Sequence, residues 1–215
     1  MKNRIESALK NILDNKTLRA QWSYAWKQGG AEKIIQACLA QELNDESNPN
    51  VFIEFKKADI AIFDDGTEMP PTHIIEIGTN YLGQIDAKNK PLKDIFKRTS
   101  NEVTGETYAF ENVYSLMFIA EKTVGNEVIF PSEGKKYINK KVSEPLTALE
   151  EIKDYWESYV KSPDPKKRAN LGNKNKTVID FNQSRDIHID EILSNKKIAN
   201  EMGDHKLHCY LIQIK

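Results

Sequence analysis

The hydrophobic positions along the chain predict helices first and strands after them. Apolar residues recur at every third or fourth position over residues 1–16 and again over 31–44, the spacing of one apolar face on a helix. A helical segment over 17–28 carries Trp22 and Trp26, four positions apart, and we expect these two side chains to pack in the core. The chain therefore begins with a helical extension that is followed by a core helix.

Short runs rich in β-branched and aromatic residues predict the strands. They lie at residues 51–55, 58–63, 73–77 and 113–120, with further candidates at 127–131 (a short edge strand), 178–181 and 208–214. Helical spacing returns at about 90–103, 145–160 and 190–199. The runs 58–63 and 73–77 are apolar on both faces, which is typical of the middle of a sheet covered by helices. The pattern predicts an α/β fold with a central β-sheet flanked by helices.

The composition is that of a globular protein with one core. The chain has 215 residues, of which 39% are hydrophobic and 29% charged. This length requires only one domain, which we place over 1–215. No apolar run approaches the ~20 residues that cross a bilayer, and the N-terminus lacks a signal-peptide core, so we expect a cytoplasmic protein without a membrane partner. Cys38 and Cys209 are expected to be reduced thiols, with Cys38 in a packing role.

Two acidic residues interrupt the apolar strands. Asp59 lies in the strand at 58–63 and Glu76 in the strand at 73–77. A buried carboxylate is costly without a partner, and two carboxylates on neighbouring strands repel each other unless a cation lies between them. Mg²⁺ suits such a pair, because it binds through one or two carboxylates and completes its shell with water and phosphate oxygens. Glu42, at the end of the preceding helix, is a candidate accessory acid that binds a water or a second ion.

A purely structural interpretation of the same acids stays open. Asp59 would then lie at a strand end beside Lys57, and Glu76 would pair with a lysine of the following helix.

These residues resemble the core of the PD-(D/E)XK nuclease superfamily, which includes most type II restriction endonucleases. The resemblance covers roughly residues 31–120, and its most specific parts are KADIAIFD, HIIEIGTNY and KPLKDIFKR. It implies a restriction-endonuclease-like core with a mixed sheet, flanked by the helical extension 1–28 and by a C-terminal decoration over 121–215. It also implies a Mg²⁺-dependent DNA endonuclease, of restriction or phage-related type, in which Mn²⁺ is a possible substitute. Asp59, Glu76 and the backbone carbonyl of Ile77 would be the metal ligands, and a homodimer would cut both strands.

One residue departs from the family pattern. The superfamily has a lysine two residues after the second acid, where this chain has Gly78. That lysine helps to position the attacking water and to stabilise the charged transition state. Three interpretations follow: another lysine replaces it, metal alone activates the water with Gln84 or Asn80 orienting it, or the site is inactive. The candidate replacements are Lys57, which is the first choice because it shares the strand face of Asp59, and Lys88 and Lys93.

Charge does not decide between DNA and other partners. The 31 basic and 32 acidic residues give a net charge of −1, although a balanced total is compatible with a local basic face. Two basic segments, a helix over 88–98 and a loop over 161–176, are candidates for phosphate contacts that carry no sequence specificity. Their candidate residues are Lys88, Lys93, Lys97 and Arg98 in the first, and Lys166, Lys167 and Arg168 in the second. The alternatives to an enzyme are an inactive member of the same fold that binds DNA or protein, and a binding module with an unrelated α/β sheet.

Overall fold

A computed structural model describes most of the N-terminal half of the chain and the strands of the C-terminal half. The described residues are 1–27, 30–44, 50–56, 58–63, 71–81, 95, 112–121, 123–124, 127–130, 135–138, 150, 153, 187–198 and 205–214. They form three complete helices and nine strands.

The three helices are α1 (Lys2–Asp14), α2 (Lys16–Lys27) and α3 (Ala31–Leu43), as the apolar spacing predicts. Asn15 separates α1 from α2, and its side-chain oxygen accepts hydrogen bonds from the backbone N–H groups of Thr17 and Leu18, at 3.0 and 3.2 Å. This contact caps the amino end of α2, where backbone N–H groups have no partner within the helix.

Six strands form one mixed sheet in the order β1-β2-β3-β4-β9-β8. Their bounds are Val51–Phe55 (β1), Ala58–Ile62 (β2), His73–Tyr81 (β3), Val113–Glu121 (β4), Ile187–Ile198 (β8) and His205–Ile214 (β9). Neighbours are antiparallel except for β3 and β4, which are parallel. The α/β class and the mixed sheet are confirmed. A second sheet of three strands contains β5 (Thr123–Val124), β6 (Glu127–Phe130) and β7 (Lys135–Ile138).

The core lies between the helices and one face of the six-stranded sheet, which we call the helix face. Trp22 of α2 meets Phe118 of β4 edge-on, with 5.3 Å between ring centroids, and Trp26 lies 6.2 Å from Trp22. The expected core role of the two tryptophans is thus confirmed. The sheet residues of this core alternate along each strand, as one face of a pleated sheet requires. They are Ile60, Ile62, Ile75, Ile77, Tyr114, Leu116, Phe118, Ala120, Leu207, Cys209 and Leu211.

The alternate residues of the same strands define the second face of the sheet. Asp59, Glu76, Gly78, Ser115 and Met117 belong to it.

Two predictions about secondary structure are wrong. The helix predicted over 190–199 is wrong over its described part, because residues 190–198 belong to β8. This strand pairs with β9, and its register shifts between Glu191 and Leu193 and again between Leu193 and Lys196. Such irregularities interrupt the two-residue alternation that identifies a strand in a sequence. The predicted edge strand at 127–131 exists as β6, but it is the middle strand of the smaller sheet.

Several predicted elements lie outside the described residues. They are the helices near 90–103 and 145–160, apart from the helical residues Ile95, Glu150 and Lys153, together with the loop 161–176 and the strand 178–181. Within the described residues, no helix is long and apolar enough to cross a membrane.

Candidate metal centre

Asp59 and Glu76 each lie one residue beyond the last pair of the β2–β3 ladder, Ile60 and Ile75. The antiparallel register pairs Ile62 with His73 and ends with Ile60 opposite Ile75. One further step in this register places Asp59 opposite Glu76, and residues opposite each other in an antiparallel pair share a face, with Cβ atoms about 5 Å apart. The register therefore places the two acids that the sequence singles out on the same face of the sheet, the second face.

The carboxylate of Asp59 also contacts the backbone of β3. The N–H of Ile77 donates a hydrogen bond to Oδ2 of Asp59 at 2.7 Å. The N–H and C=O groups of one residue in a strand point to the same edge, so the carbonyl oxygen of Ile77 faces the same side as Asp59. The Asp59 carboxylate and the Ile77 carbonyl oxygen thus lie at the same edge of β3, next to Glu76 in the sequence.

This set of oxygens fits a hard divalent cation. Asp59 is half-buried, and Glu76 is only 4% exposed. The described residues contain no group of three or more His, Cys, Asp or Glu side chains that could hold a metal ion. Mg²⁺ does not need such a group, since one or two carboxylates with carbonyl and water oxygens suffice. Asp59, Glu76 and Ile77 would hold it.

Gln36 of α3 supports Asp59 from the helix side of the sheet. Its side-chain Nε2 donates to the backbone carbonyl oxygen of Asp59 at 2.7 Å and to Oε1 of Glu54 at 3.1 Å. Glu54 has a positive φ of 53° in the middle of β1, and the β1–β2 register omits the pair it would make with Asp59. The left-handed conformation costs about 1–2 kcal/mol. Gln36 supplies a hydrogen bond to Asp59 where the strand pairing is interrupted.

Lys33, one turn before Gln36, brings a positive charge to this region. Its amine forms an ion pair with Glu54 and lies 3.4 Å from the side-chain oxygen of Gln36. The hydrogen bond to Glu54 raises the pKa of Lys33, burial opposes this rise, and the negative charges of Glu54, Asp59 and Glu32 add smaller increases. Lys33 therefore stays protonated at neutral pH, and it can provide charge but cannot act as a base.

Glu42 lies apart from the residue of α3 that contacts Asp59. It is six residues beyond Gln36, which places it about 9 Å further along the helix and about 120° around it. Its exposed carboxylate accepts a hydrogen bond from Nδ2 of Asn11 in α1, at 2.9 Å. This position disfavours the accessory role predicted for Glu42, which stays a prediction.

The other predicted site residues lie outside the described residues. They are Lys57, Gln84, Lys88, Lys93, Lys97, Arg98, Lys166, Lys167 and Arg168. Asn80 and Gly78 are described, both on β3, and Gly78 is paired with Met117 of β4 in the buried part of the sheet.

Neither cysteine competes for a chemical role. Both are free, and burial raises the pKa of the Cys38 thiol and raises that of Cys209 well above its ordinary value. Nucleophilic catalysis requires the thiolate, so both thiols are poor nucleophiles at neutral pH.

Replacing Gln36 by Ala is expected to lower the free energy of unfolding by about 1–3 kcal/mol, because the carbonyl of Asp59 loses its donor in a buried position. Gln41→Ala is the matched control, since Gln41 is an exposed glutamine of the same helix and its loss should cost no more than about 0.5 kcal/mol. Urea unfolding followed by circular dichroism measures both. Equal stability of the two variants would show that Gln36 does not support Asp59.

Comparison with known proteins gives no match: no protein-family model matches the chain, nor does any curated protein or solved structure.

Proposed function

We propose that the protein is a divalent-metal-dependent endonuclease that hydrolyses phosphodiester bonds in DNA. The observation that carries the proposal is the pair Asp59–Glu76 at the end of the β2–β3 ladder, with the Ile77 backbone bound to Asp59. The resemblance to the PD-(D/E)XK nucleases supports DNA as the substrate, and cutting of both strands would fit a homodimer.

Each residue of the centre has a distinct part in this proposal. Glu76 and Asp59 hold the cation through their carboxylates, and Ile77 contributes its carbonyl oxygen. The hydrogen bond from the Ile77 N–H fixes the orientation of the Asp59 carboxylate, and Gln36 fixes the backbone at Asp59. A bound Mg²⁺ supplies a water of lowered pKa as nucleophile and neutralises negative charge that develops on the phosphate.

Gly78 occupies the position at which the superfamily has a lysine, so the positive charge of that lysine has to come from another residue. Lys57 remains the first choice from the sequence, with Lys88 and Lys93 as the others.

Incubation of supercoiled plasmid with the protein tests the proposal. We expect nicked and linear DNA with Mg²⁺ or Mn²⁺, and intact plasmid when EDTA removes the metal, because the two carboxylates alone activate no water. Absence of cleavage with either metal on duplex and single-stranded DNA would contradict the proposal.

Gly78 favours a second candidate function, an inactive member of the same fold that binds DNA or protein. A DNA-binding titration at increasing salt in Ca²⁺, without turnover, separates the candidates. An inactive DNA-binding protein retains salt-sensitive DNA affinity without cleavage in Mg²⁺ or Mn²⁺, whereas a protein-binding module has negligible DNA affinity.

A further inference from the structure

Ser115 is a buried polar residue that the proposed metal chemistry does not yet use. It lies in the middle of β4 with no exposed surface, and its hydroxyl oxygen has no hydrogen-bond partner in the part of the chain that the structure describes. Burying a hydroxyl without a hydrogen bond is unfavourable. A single unpartnered hydroxyl inside the central sheet therefore suggests a ligand-dependent role.

The sheet register identifies the group that Ser115 can reach. Its partner on β3 is Glu76 and its partner on β9 is Ile212, and both lie on the second face of the sheet. Ile212 is apolar, so Glu76 is the polar one of these two neighbours. Adjacent strands are about 4.8 Å apart, a distance that the long side chain of Glu76 covers by rotation about its own bonds.

We propose that Ser115 is a positioning residue of the metal centre, whose hydroxyl donates a hydrogen bond to the Glu76 carboxylate when that carboxylate binds a divalent cation. The proposal rests on the function proposed above. The bond fixes one carboxylate oxygen on Ser115 and leaves the other for the cation. Partners of this kind orient metal ligands, and their loss typically weakens metal affinity by about 10- to 100-fold.

Titration of the metal-free protein with Mn²⁺ in a calorimeter, without DNA, tests the role of Ser115. Ser115→Ala is expected to bind Mn²⁺ at least about tenfold more weakly than the wild type. Its melting temperature without metal should be no lower than that of the wild type, because the lost hydroxyl had no partner. Ser115→Thr retains the hydroxyl and should restore most of the affinity.

Thr72→Val is the matched control for a lost hydroxyl. The Thr72 hydroxyl donates to the carbonyl oxygen of Ile62 at 2.9 Å, away from the metal ligands. This variant should melt at a lower temperature and bind Mn²⁺ as the wild type does. Loss of a structural hydroxyl should therefore lower the melting temperature and leave the Mn²⁺ affinity unchanged. Loss of a positioning hydroxyl should lower the Mn²⁺ affinity without lowering the melting temperature.

Three outcomes would overturn the inference, and they are distinguishable. If Ser115→Ala binds Mn²⁺ as tightly as the wild type while Glu76→Gln does not bind it, the metal centre exists but Ser115 has no part in it. If Ser115→Ala and Ser115→Thr both bind Mn²⁺ weakly, the loss of affinity comes from altered packing and not from the missing hydroxyl. A wild-type protein that binds no Mn²⁺ contradicts the metal centre itself.

Discussion

Asp59→Asn is expected to lower the rate of Mg²⁺-dependent plasmid cleavage by at least about tenfold, since loss of a metal ligand should cost no less than loss of a residue that merely orients one. The substitution removes the negative charge and retains the shape of the side chain. The amide oxygen of Asn can still accept the hydrogen bond from the Ile77 N–H, so the end of the β2–β3 ladder should persist. Initial rates of nicking at saturating Mg²⁺ measure the effect.

Asp190→Asn is the matched control for this variant. Asp190 forms a partly exposed ion pair with Lys2 at 3.1 Å, and such pairs contribute about 0–1 kcal/mol to stability. Cleavage by this variant should stay close to that of the wild type. Equal rates for Asp59→Asn and Asp190→Asn would remove Asp59 from the site.

Glu76→Gln is expected to abolish the stabilisation of the fold by divalent metal. A ligand at 100 times its dissociation constant stabilises the folded state by about 2.7 kcal/mol. For a protein of this size the gain corresponds to a rise in melting temperature of roughly 5–11 °C in the wild type. The variant lacks the buried charge that attracts the cation, so its melting temperature should not change with Mn²⁺ concentration.

Thermal unfolding with and without Mn²⁺ measures this second effect independently of any nuclease activity. Glu6→Gln, the same substitution on α1, should respond to Mn²⁺ as the wild type does. If Mn²⁺ raises the melting temperature of Glu76→Gln as much as that of the wild type, the cation binds elsewhere or does not bind specifically.

The apolar pattern predicts much of the fold, because burial of one face imposes a regular period on each element. The five residues of α1 with helical spacing are the five that the fold buries, Ile5, Ala8, Leu9, Ile12 and Leu13. The acids could be found for a related reason, since Asp59 and Glu76 are charged residues within strands that are otherwise apolar. Their register, which brings them opposite each other, depends on strand pairing and is not encoded in either strand alone.

The same sequence rule would also have found Ser115 and Gln36. Ser115 is the polar residue at the centre of the strand VYSLMFIA, and Gln36 shares a helical stripe with Ala40 and Leu43. The positive φ of Glu54 was not predictable, because no glycine or asparagine marks it. The sequence predicts a helix where β8 lies, because the register shifts of this strand disturb the two-residue alternation and its pairing with β9 is not visible in the sequence.

A crystal structure of the protein grown with Mn²⁺, phased or checked by the anomalous signal of the metal, tests the central claim most directly. We expect one anomalous peak within about 2.5 Å of carboxylate oxygens from both Asp59 and Glu76, with the Ile77 carbonyl oxygen as a further ligand. Well-ordered carboxylates with no anomalous peak between them at saturating Mn²⁺ would contradict it.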